Sequence, residues 1–179
     1  MLFEGKKIVF DSGFICVGNA KYLYFKEGHD DLDFSLPDIN SFIFDLSNKP
    51  QNSKGVYVFA FKNKCKINML FFDRPRFKSI QLNKIWRGTI KKFSIIKCET
   101  DQIFCVGSDN EMLSRARQHL VSKKIDGNAS LRLSLWSRRK IKKHLYLIFI
   151  PVDESTIGIS KTELESAIRK EYNPLFSNK

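Results

Sequence analysis

The pattern of apolar and polar residues divides the chain into short β-type segments and two amphipathic helical segments. Three aromatic and β-branched runs, separated by Asp-Ser-Gly and Gly-Asn turns, predict a small β-meander in the first fifty residues. These runs are Lys7–Phe10, Phe14–Val17 and Tyr22–Phe25. The polar segment Ser47–Ser53 predicts a loop that separates this part from the rest of the chain.

Further apolar runs predict the strands of the remaining chain, at Gly55–Phe61, Lys66–Phe72, Phe93–Lys97, Gln102–Val106 and His144–Pro151. The second of these is expected to form a hairpin with the first, and the fourth a hairpin with the third across the turn Glu99-Thr100-Asp101. The last run is nearly all apolar, which is typical of a strand in the middle of a sheet.

Two segments carry helix-start signals. Ser108 with Glu111 forms a capping-box pattern, which predicts a helix from Ser108 to about Ser122. Ser160 with Glu163 forms a second pattern, which predicts a helix from about Lys161 to Tyr172 that Pro174 ends.

These elements predict an α/β (α+β) protein with a small, mainly antiparallel central sheet flanked by helices. Residues 1–50 are expected to be a β-rich N-terminal extension, and residues 51–179 a second unit with an insertion at about 62–103.

Positive charge is concentrated in the middle of the chain. Residues 51–150 carry 22 Lys/Arg and 6 Asp/Glu (22 − 6 = +16), whereas residues 1–50 carry 5 and 8 (5 − 8 = −3). Residues 151–179 carry 4 and 5 (4 − 5 = −1), so the net charge of +12 comes from the central part. This distribution is expected of a protein that contacts nucleic-acid phosphates, although a basic surface kept for solubility is the alternative.

Other bulk features exclude several classes of protein. The four scattered cysteines show no zinc-type spacing. Cys98 and Cys105 could approach each other across a hairpin, but they are expected to be reduced, apolar strand residues. No apolar run approaches the roughly 20 residues that cross a bilayer, and the first residues lack the order of a signal peptide. A soluble, cytoplasmic protein without a membrane partner is the resulting expectation.

The segment after Gly107 carries the clearest candidate chemistry. On a helix, Arg115 and His119 lie four residues apart and therefore on one face. A permanently charged planar guanidinium beside a titratable imidazole suits a phosphate group.

The order of elements from residue 92 onward, with Gly107, Arg115, His119, Glu165 and the tail that begins at Asn173-Pro174, resembles the GIY-YIG nuclease domain. Arg115 falls eight residues after the glycine of Cys105-Val106-Gly107, and His119 four residues further. Cys105 stands where the family has the tyrosine of its second signature, and Asn178 is displaced from the family's tail asparagine.

The first signature of that family has two candidates. Gly55-Val56-Tyr57 keeps the glycine and the tyrosine but requires a long insertion before the second signature. Phe93–Lys97 has ordinary hairpin spacing but neither residue. The first candidate is favoured.

The resemblance implies metal-dependent hydrolysis of a phosphodiester. Tyr57 would activate the attacking water, Arg115 would clamp the phosphate, and His119 would relay a proton or position the phosphate. Glu165 would hold one divalent cation, Mg²⁺ or another such as Mn²⁺.

A second group of basic residues is expected to contact backbone phosphates without reading sequence. It consists of Lys123, Lys124, Arg132, Arg138, Arg139, Lys140, Lys142 and Lys143.

The sequence therefore predicts a Mg²⁺-dependent DNA endonuclease, of restriction type, because no appended DNA-reading module is apparent. RNA as the substrate and a homodimer are left open. The alternatives are a catalytically inactive nucleic-acid-binding protein on a GIY-YIG-like scaffold, and an assembly protein whose basic face binds RNA or an acidic partner.

Overall fold

The fold is described from a computed structural model of the chain. The structure describes residues 7–10, 13–16, 21–24, 54–61, 63–68, 83, 85, 95–121, 131 and 144–176. Its strands are β1 (Lys7–Phe10), β2 (Gly13–Cys16), β3 (Lys21–Tyr24), β4 (Gly55–Phe61), β5 (Cys65–Asn68), β6 (Ile95–Cys98), β7 (Ile103–Asp109) and β8 (Leu145–Pro151). Its helices are α1 (Met112–Val121), α2 (Glu154–Ile157) and α3 (Lys161–Tyr172).

The central sheet has the strand order β3-β8-β4-β7, and every neighbouring pair in it is antiparallel. β4 is an interior strand, with β7 on one side and β8 on the other, and all of its residues are buried. The nearly continuous apolar sequences of β4 and β8 follow from this position, because a strand covered on both faces has no polar face. The prediction that the last apolar run is an interior strand is confirmed.

Each face of this sheet is covered by one of the longer helices. Val56 and Val58 point to the face on which Leu164 and Ile168 of α3 complete a buried apolar cluster. Tyr57 alternates with them along β4 and therefore points to the opposite face, where α1 contributes the buried residues Met112, Ala116 and His119.

The three described strands of the first fifty residues lie in two different sheets. β1 and β2 form an antiparallel pair, and β3 joins the central sheet through antiparallel pairing with β8. A strand from the first fifty residues is therefore part of the same sheet as β4 and β7.

The hairpin predicted between Gly55–Phe61 and Lys66–Phe72 is wrong. β5 pairs with β6, in register from Cys65 opposite Cys98 to Asn68 opposite Ile95. The physical reason is that β4 already has β7 and β8 on its two edges, so no edge is left for β5. The predicted hairpin between β6 and β7 does not form either, because β4 pairs along one edge of β7 and Leu175 and Phe176 bond to its other edge.

The predicted start of the first long helix at Ser108 is also wrong. β7 continues to Asp109, with Ser108 paired to Val56 and Asp109 paired to Gly55, and the helix begins at Met112. The Asp109 carboxylate accepts a hydrogen bond from the backbone N–H of Glu111 at 3.0 Å. Ser108, whose sequence context resembles that of a helix cap, is therefore a paired residue of β7.

The second helix prediction is confirmed. α3 spans Lys161–Tyr172, and Ser160 and Glu163 form the reciprocal capping box. Asn173 ends the helix in the left-handed conformation, and Pro174 follows it.

The C-terminal segment covers part of the outer edge of β7. The backbone N–H groups of Leu175 and Phe176 donate to the carbonyls of Ile103 and Phe104 at 3.0 and 2.9 Å. The Phe104 and Phe176 rings pack with their centroids 4.8 Å apart. This contact protects an edge that would otherwise present unpaired backbone groups.

The chain therefore has an α+β fold built on a small antiparallel sheet, as its sequence predicts. Within the part of the chain described, none of the helices combines the length and the apolar character that a membrane crossing requires.

Candidate active site

The candidate site is organised around Tyr57, which lies in β4 directly opposite Gly107 of β7. A side chain at Gly107 would collide with the Tyr57 ring and hydroxyl, because the Cβ of any other residue would overlap both. The glycine therefore allows the tyrosine to lie across β7 toward the outer edge of the sheet. This is a close-approach role, and it explains why glycine is needed at that register position.

His119 of α1 holds the Tyr57 hydroxyl from inside the core. Its Nε2 lies 2.7 Å from the Tyr57 oxygen, and its Nδ1 accepts a hydrogen bond from the backbone N–H of Leu131 at 2.9 Å. A neutral imidazole has one donor and one acceptor nitrogen, so the bond from Leu131 places the ring proton on Nε2. Nε2–H therefore donates to the Tyr57 oxygen, and the hydroxyl proton of Tyr57 is directed elsewhere.

Burial keeps this imidazole neutral. His119 is only 2% exposed. Desolvation, assisted by the positive charge of Arg115, lowers the pKa of His119 to about 3. The ring also packs against the aromatic rings of Tyr57 and Phe59, at centroid distances of 5.1 and 5.9 Å.

Arg115 lies one helical turn before His119 and is half-buried. Its Nη1 donates to the Gln118 side chain at 2.6 Å. Its guanidinium also lies close enough to the Tyr57 hydroxyl to interact with it by charge and by hydrogen bonding. The two residues predicted on one helix face thus both approach the same phenol.

The pKa of Tyr57 is set by opposing influences. Burial raises it above its ordinary value, and the thiol of Cys105 and the carboxylate of Glu165 act in the same direction. The charge and hydrogen bond of Arg115 act in the opposite direction, but burial dominates. Tyr57 is therefore a neutral phenol at neutral pH.

Glu165 of α3 is held by partners on both of its oxygens. Its Oε1 forms an ion pair with Nη2 of Arg169 at 2.5 Å, and its Oε2 accepts a hydrogen bond from the Ser108 hydroxyl at 2.5 Å. The same Nη2 donates to the carbonyl of Val106 at 3.0 Å. The Glu165 side chain is 14% exposed, so this is not a solvated surface pair.

The structure brings together the four residues singled out as catalytic. Tyr57 comes from β4, Arg115 and His119 from α1, and Glu165 from α3. The charges of Arg115 and Glu165 both act on Tyr57, and His119 contacts it directly. They meet near Gly107, where helices from the two faces of the sheet reach the same strand.

The two candidates for the first signature occupy different places. Gly55-Val56-Tyr57 lies beside Gly107, as its strand pairs with β7. The other candidate is Phe93–Lys97. Its described residues begin at Ile95 and lie in β6, which pairs with β5. Only the first candidate contributes a side chain to this cluster of described residues.

Cys105, which the resemblance places at the tyrosine of the second signature, has a buried thiol. Its thiol is 6% exposed and contacts the carbonyl of Val106 at 3.7 Å. Burial raises its pKa to about 12, so the thiol stays protonated.

The predicted phosphate-contacting residues lie outside the part of the chain that the structure describes. These are Lys123, Lys124, Arg132, Arg138, Arg139, Lys140, Lys142 and Lys143, and Asn178 of the tail lies outside it as well.

Two residues of the site were not predicted to belong to it. The sequence context of Ser108 indicated a helix cap, and no other sequence feature indicated that Ser108 belongs to a strand. Arg169 lies four residues after Glu165, a spacing that allows an ion pair on a helix, but its additional bond to Val106 depends on tertiary structure.

The carboxylate of Glu165 is the candidate ligand for a divalent cation at this site. Among the described residues, no three His, Cys, Asp or Glu side chains cluster in a way that could hold a metal ion. A hydrated Mg²⁺ needs fewer protein ligands, because it keeps several of its waters and binds through one or two carboxylates. Each Glu165 oxygen has one partner and retains a second lone pair, so the residues fit a single-carboxylate site with Arg169 as a competing cation.

No protein-family model, no curated protein and no solved structure matches the chain. Its function is therefore inferred from its own residues.

Proposed function

We propose that the chain is a metal-dependent endonuclease that hydrolyses DNA phosphodiester bonds, of the GIY-YIG type that its motifs resemble. The observation that carries this proposal is the meeting of Tyr57, Arg115, His119 and Glu165 at Gly107, from three separate elements. A cationic clamp, a phenol and a carboxylate in one partly buried place match the needs of phosphodiester hydrolysis.

Arg115 is the phosphate-binding residue of the proposal. Its guanidinium is permanently charged and offers several donors in one plane, which suits the oxygens of a phosphate. It would bind the scissile phosphate and stabilise the charge that develops on it. A preorganised donor of this kind contributes about 3 kcal/mol to transition-state stabilisation.

Tyr57 positions the attacking water. Since burial keeps the phenol neutral, it orients the water through its hydroxyl and is not a base by itself. The donated bond from His119 Nε2–H holds the phenol oxygen in place and leaves the hydroxyl proton available for the water. His119 is therefore a positioning residue, because its own nitrogens are engaged in the core.

Glu165 is the residue that would hold a divalent cation, with the Ser108 hydroxyl beside it. When bound, Mg²⁺ or Mn²⁺ would supply a positive charge that stabilises the phosphate and the leaving oxygen. Ser108 and Arg169 orient the carboxylate for this task, because each bonds a different oxygen.

Cleavage of a supercoiled plasmid in the presence of Mg²⁺ tests the proposal. We expect nicking by the wild type and its loss in Arg115→Ala and Glu165→Gln. Lys170→Ala and Glu171→Gln are matched controls, because both residues are exposed on α3 and lie outside the cluster. These two variants should cleave as the wild type does.

A second function is favoured by one observation. Both Glu165 oxygens are already engaged, one of them by a cation, as expected for a structural carboxylate. On this alternative the chain binds nucleic acid without cleaving it. Binding of the plasmid without nicking, in either Mg²⁺ or Mn²⁺, would select this alternative. Failure to bind DNA even at low salt would exclude both functions.

A further inference from the structure

The β5–β6 pair places two cysteines directly opposite each other. Cys65 and Cys98 are register partners, and their thiols are joined by a hydrogen bond. Opposite residues in antiparallel strands have α-carbons about 4.5 to 5.5 Å apart. A disulfide needs a separation of about 4.4 to 6.8 Å, so the α-carbons of register partners lie within the range that a disulfide spans.

The two thiols have different environments, which gives them different reactivity. Cys98 is buried, with 1% exposure, whereas Cys65 is half-buried and reachable from solvent. The hydrogen bond from Cys98 lowers the pKa of Cys65 and raises that of Cys98. Cys65 is the nucleophile of the pair because it is the thiol that solvent can reach, and the buried Cys98 is the resolving thiol.

The charged residues of this strand pair do little to stabilise it. Lys66 and Lys97 lie directly opposite each other, and like charges at such positions are destabilising. The exposed ion pair between Lys64 and Glu99, at 3.0 Å, contributes little because water screens it. Burial of Ile67 and Ile96 is the apolar contribution to its stability, and a covalent link between the strands would add to it.

We propose that Cys65 and Cys98 form a reversible disulfide in response to a peroxide, and that this bond stabilises the β5–β6 pair. The Cys65 thiolate attacks one peroxide oxygen, which gives a sulfenic acid. The other oxygen leaves as hydroxide, which takes up the proton that the Cys65 thiol has lost and becomes water. The Cys98 thiol then attacks the Cys65 sulfur, and the sulfenic oxygen leaves as a second water. Two electrons pass from the two thiols to one hydrogen peroxide, which is reduced to two waters.

The site is independent of the proposed nuclease. Cys105 provides a contrast within the same chain, because its thiol is buried and donates to the Val106 carbonyl. It should remain reduced under the same treatment.

Mass spectrometry of the full chain tests this proposal. The reduced protein is treated with one equivalent of hydrogen peroxide, free thiols are alkylated, and the protein is digested without reductant. We expect an intramolecular link between Cys65 and Cys98, a mass loss of about 2 Da, and reversal by dithiothreitol. Hydrogen exchange at the amides of residues 65–68 and 95–98 should slow by about tenfold or more on oxidation.

Matched variants distinguish this link from other oxidation. Cys65→Ser and Cys98→Ser should each lose the link and the slowing of exchange, whereas Cys105→Ser should keep both. A link that joins Cys98 to Cys16 or Cys105, or that joins two chains, would overturn the proposal. Oxidation of Cys65 to the sulfinic acid, with Cys98 still open to alkylation, would also overturn it.

Discussion

The hydroxyl of Tyr57 lies over the α-carbon of Gly107, its partner across the β4–β7 pair. The absence of a side chain at residue 107 allows the phenol to extend from one strand across the next. There it meets His119 on one helix and the charges of Arg115 and Glu165. The position of this glycine thus determines where the phenol can act.

Gly107→Ala should therefore displace Tyr57 and reduce both stability and cleavage. We expect the free energy of unfolding to fall by about 1 to 3 kcal/mol, as for other overpacked sites. Cleavage should fall about a hundredfold, because small misplacements of a positioning group have large effects. Urea unfolding and plasmid nicking measure the two quantities.

A double-mutant cycle isolates the contact between the Tyr57 side chain and residue 107. In a Tyr57→Ala background, Gly107→Ala should change the free energy of unfolding by much less than in the wild type, because the colliding ring is absent. Equal effects in both backgrounds would show that the two residues are not coupled in this way.

Tyr57→Phe should preserve the fold and lower cleavage. It leaves the buried Nε2–H of His119 without its partner, so the free energy of unfolding should fall by about 1 to 3 kcal/mol. Tyr146→Phe is the matched control, because it removes a phenol that donates to Asp101 at 2.7 Å elsewhere in the sheet. Cleavage by Tyr146→Phe should equal that of the wild type, and a comparable loss in both variants would contradict a specific role for Tyr57.

The stability of the protein should depend on pH through His119. Its pKa is about 3 in the fold and about 6.5 in the unfolded chain, so between these values the unfolded chain binds a proton that the fold excludes. The stabilising contribution is complete above about pH 6.5 and is lost as the pH falls toward 3. Tyr57 from β4 and Arg115 from α1 are the titratable or charged groups that face it within the described residues.

Urea unfolding measures this dependence. Between about pH 7.5 and 5, the wild type should lose about 2 kcal/mol more of its unfolding free energy than His119→Gln, which cannot gain the proton. His119→Gln keeps an N–H donor that can reach Tyr57. Parallel pH profiles for the two proteins would show that His119 is not held neutral in the fold.

Removing the guanidinium of Arg169, which forms an ion pair with Glu165, should favour metal binding at Glu165. Arg169→Gln eliminates a positive charge that lies 2.5 Å from the carboxylate. The half-saturating concentration of Mn²⁺, measured by electron paramagnetic resonance of the free ion, should fall about threefold or more. Lys170→Gln, on the exposed side of α3, should leave it unchanged, and Glu165→Gln should abolish binding. An unchanged or weaker affinity in Arg169→Gln would separate Glu165 from metal binding.

The sequence predicted those elements whose local signals agree with their tertiary position. The capping box at Ser160 and the stop at Pro174 defined α3, and the apolar run at residues 145–151 defined an interior strand. In each case the residues that determine the element lie within it or directly beside its ends.

The errors arose where pairing partners decide the structure. Ser108 has the sequence context of a helix cap, but pairing with Val56 keeps it in β7. β5 has the spacing of a hairpin partner for β4, but both edges of β4 are occupied by strands distant in sequence. Similarly, spacing could place Arg115 and His119 on one face, but not show that His119 bonds Leu131 in the core.

The bonds from Leu175 and Phe176 to β7 have a consequence for any shortened form of the protein. A chain that stops at Asn173 would leave the backbone of Ile103 and Phe104 exposed at a strand edge, next to apolar side chains. Such edges recruit other extended polypeptides, so truncation there should cause self-association and precipitation.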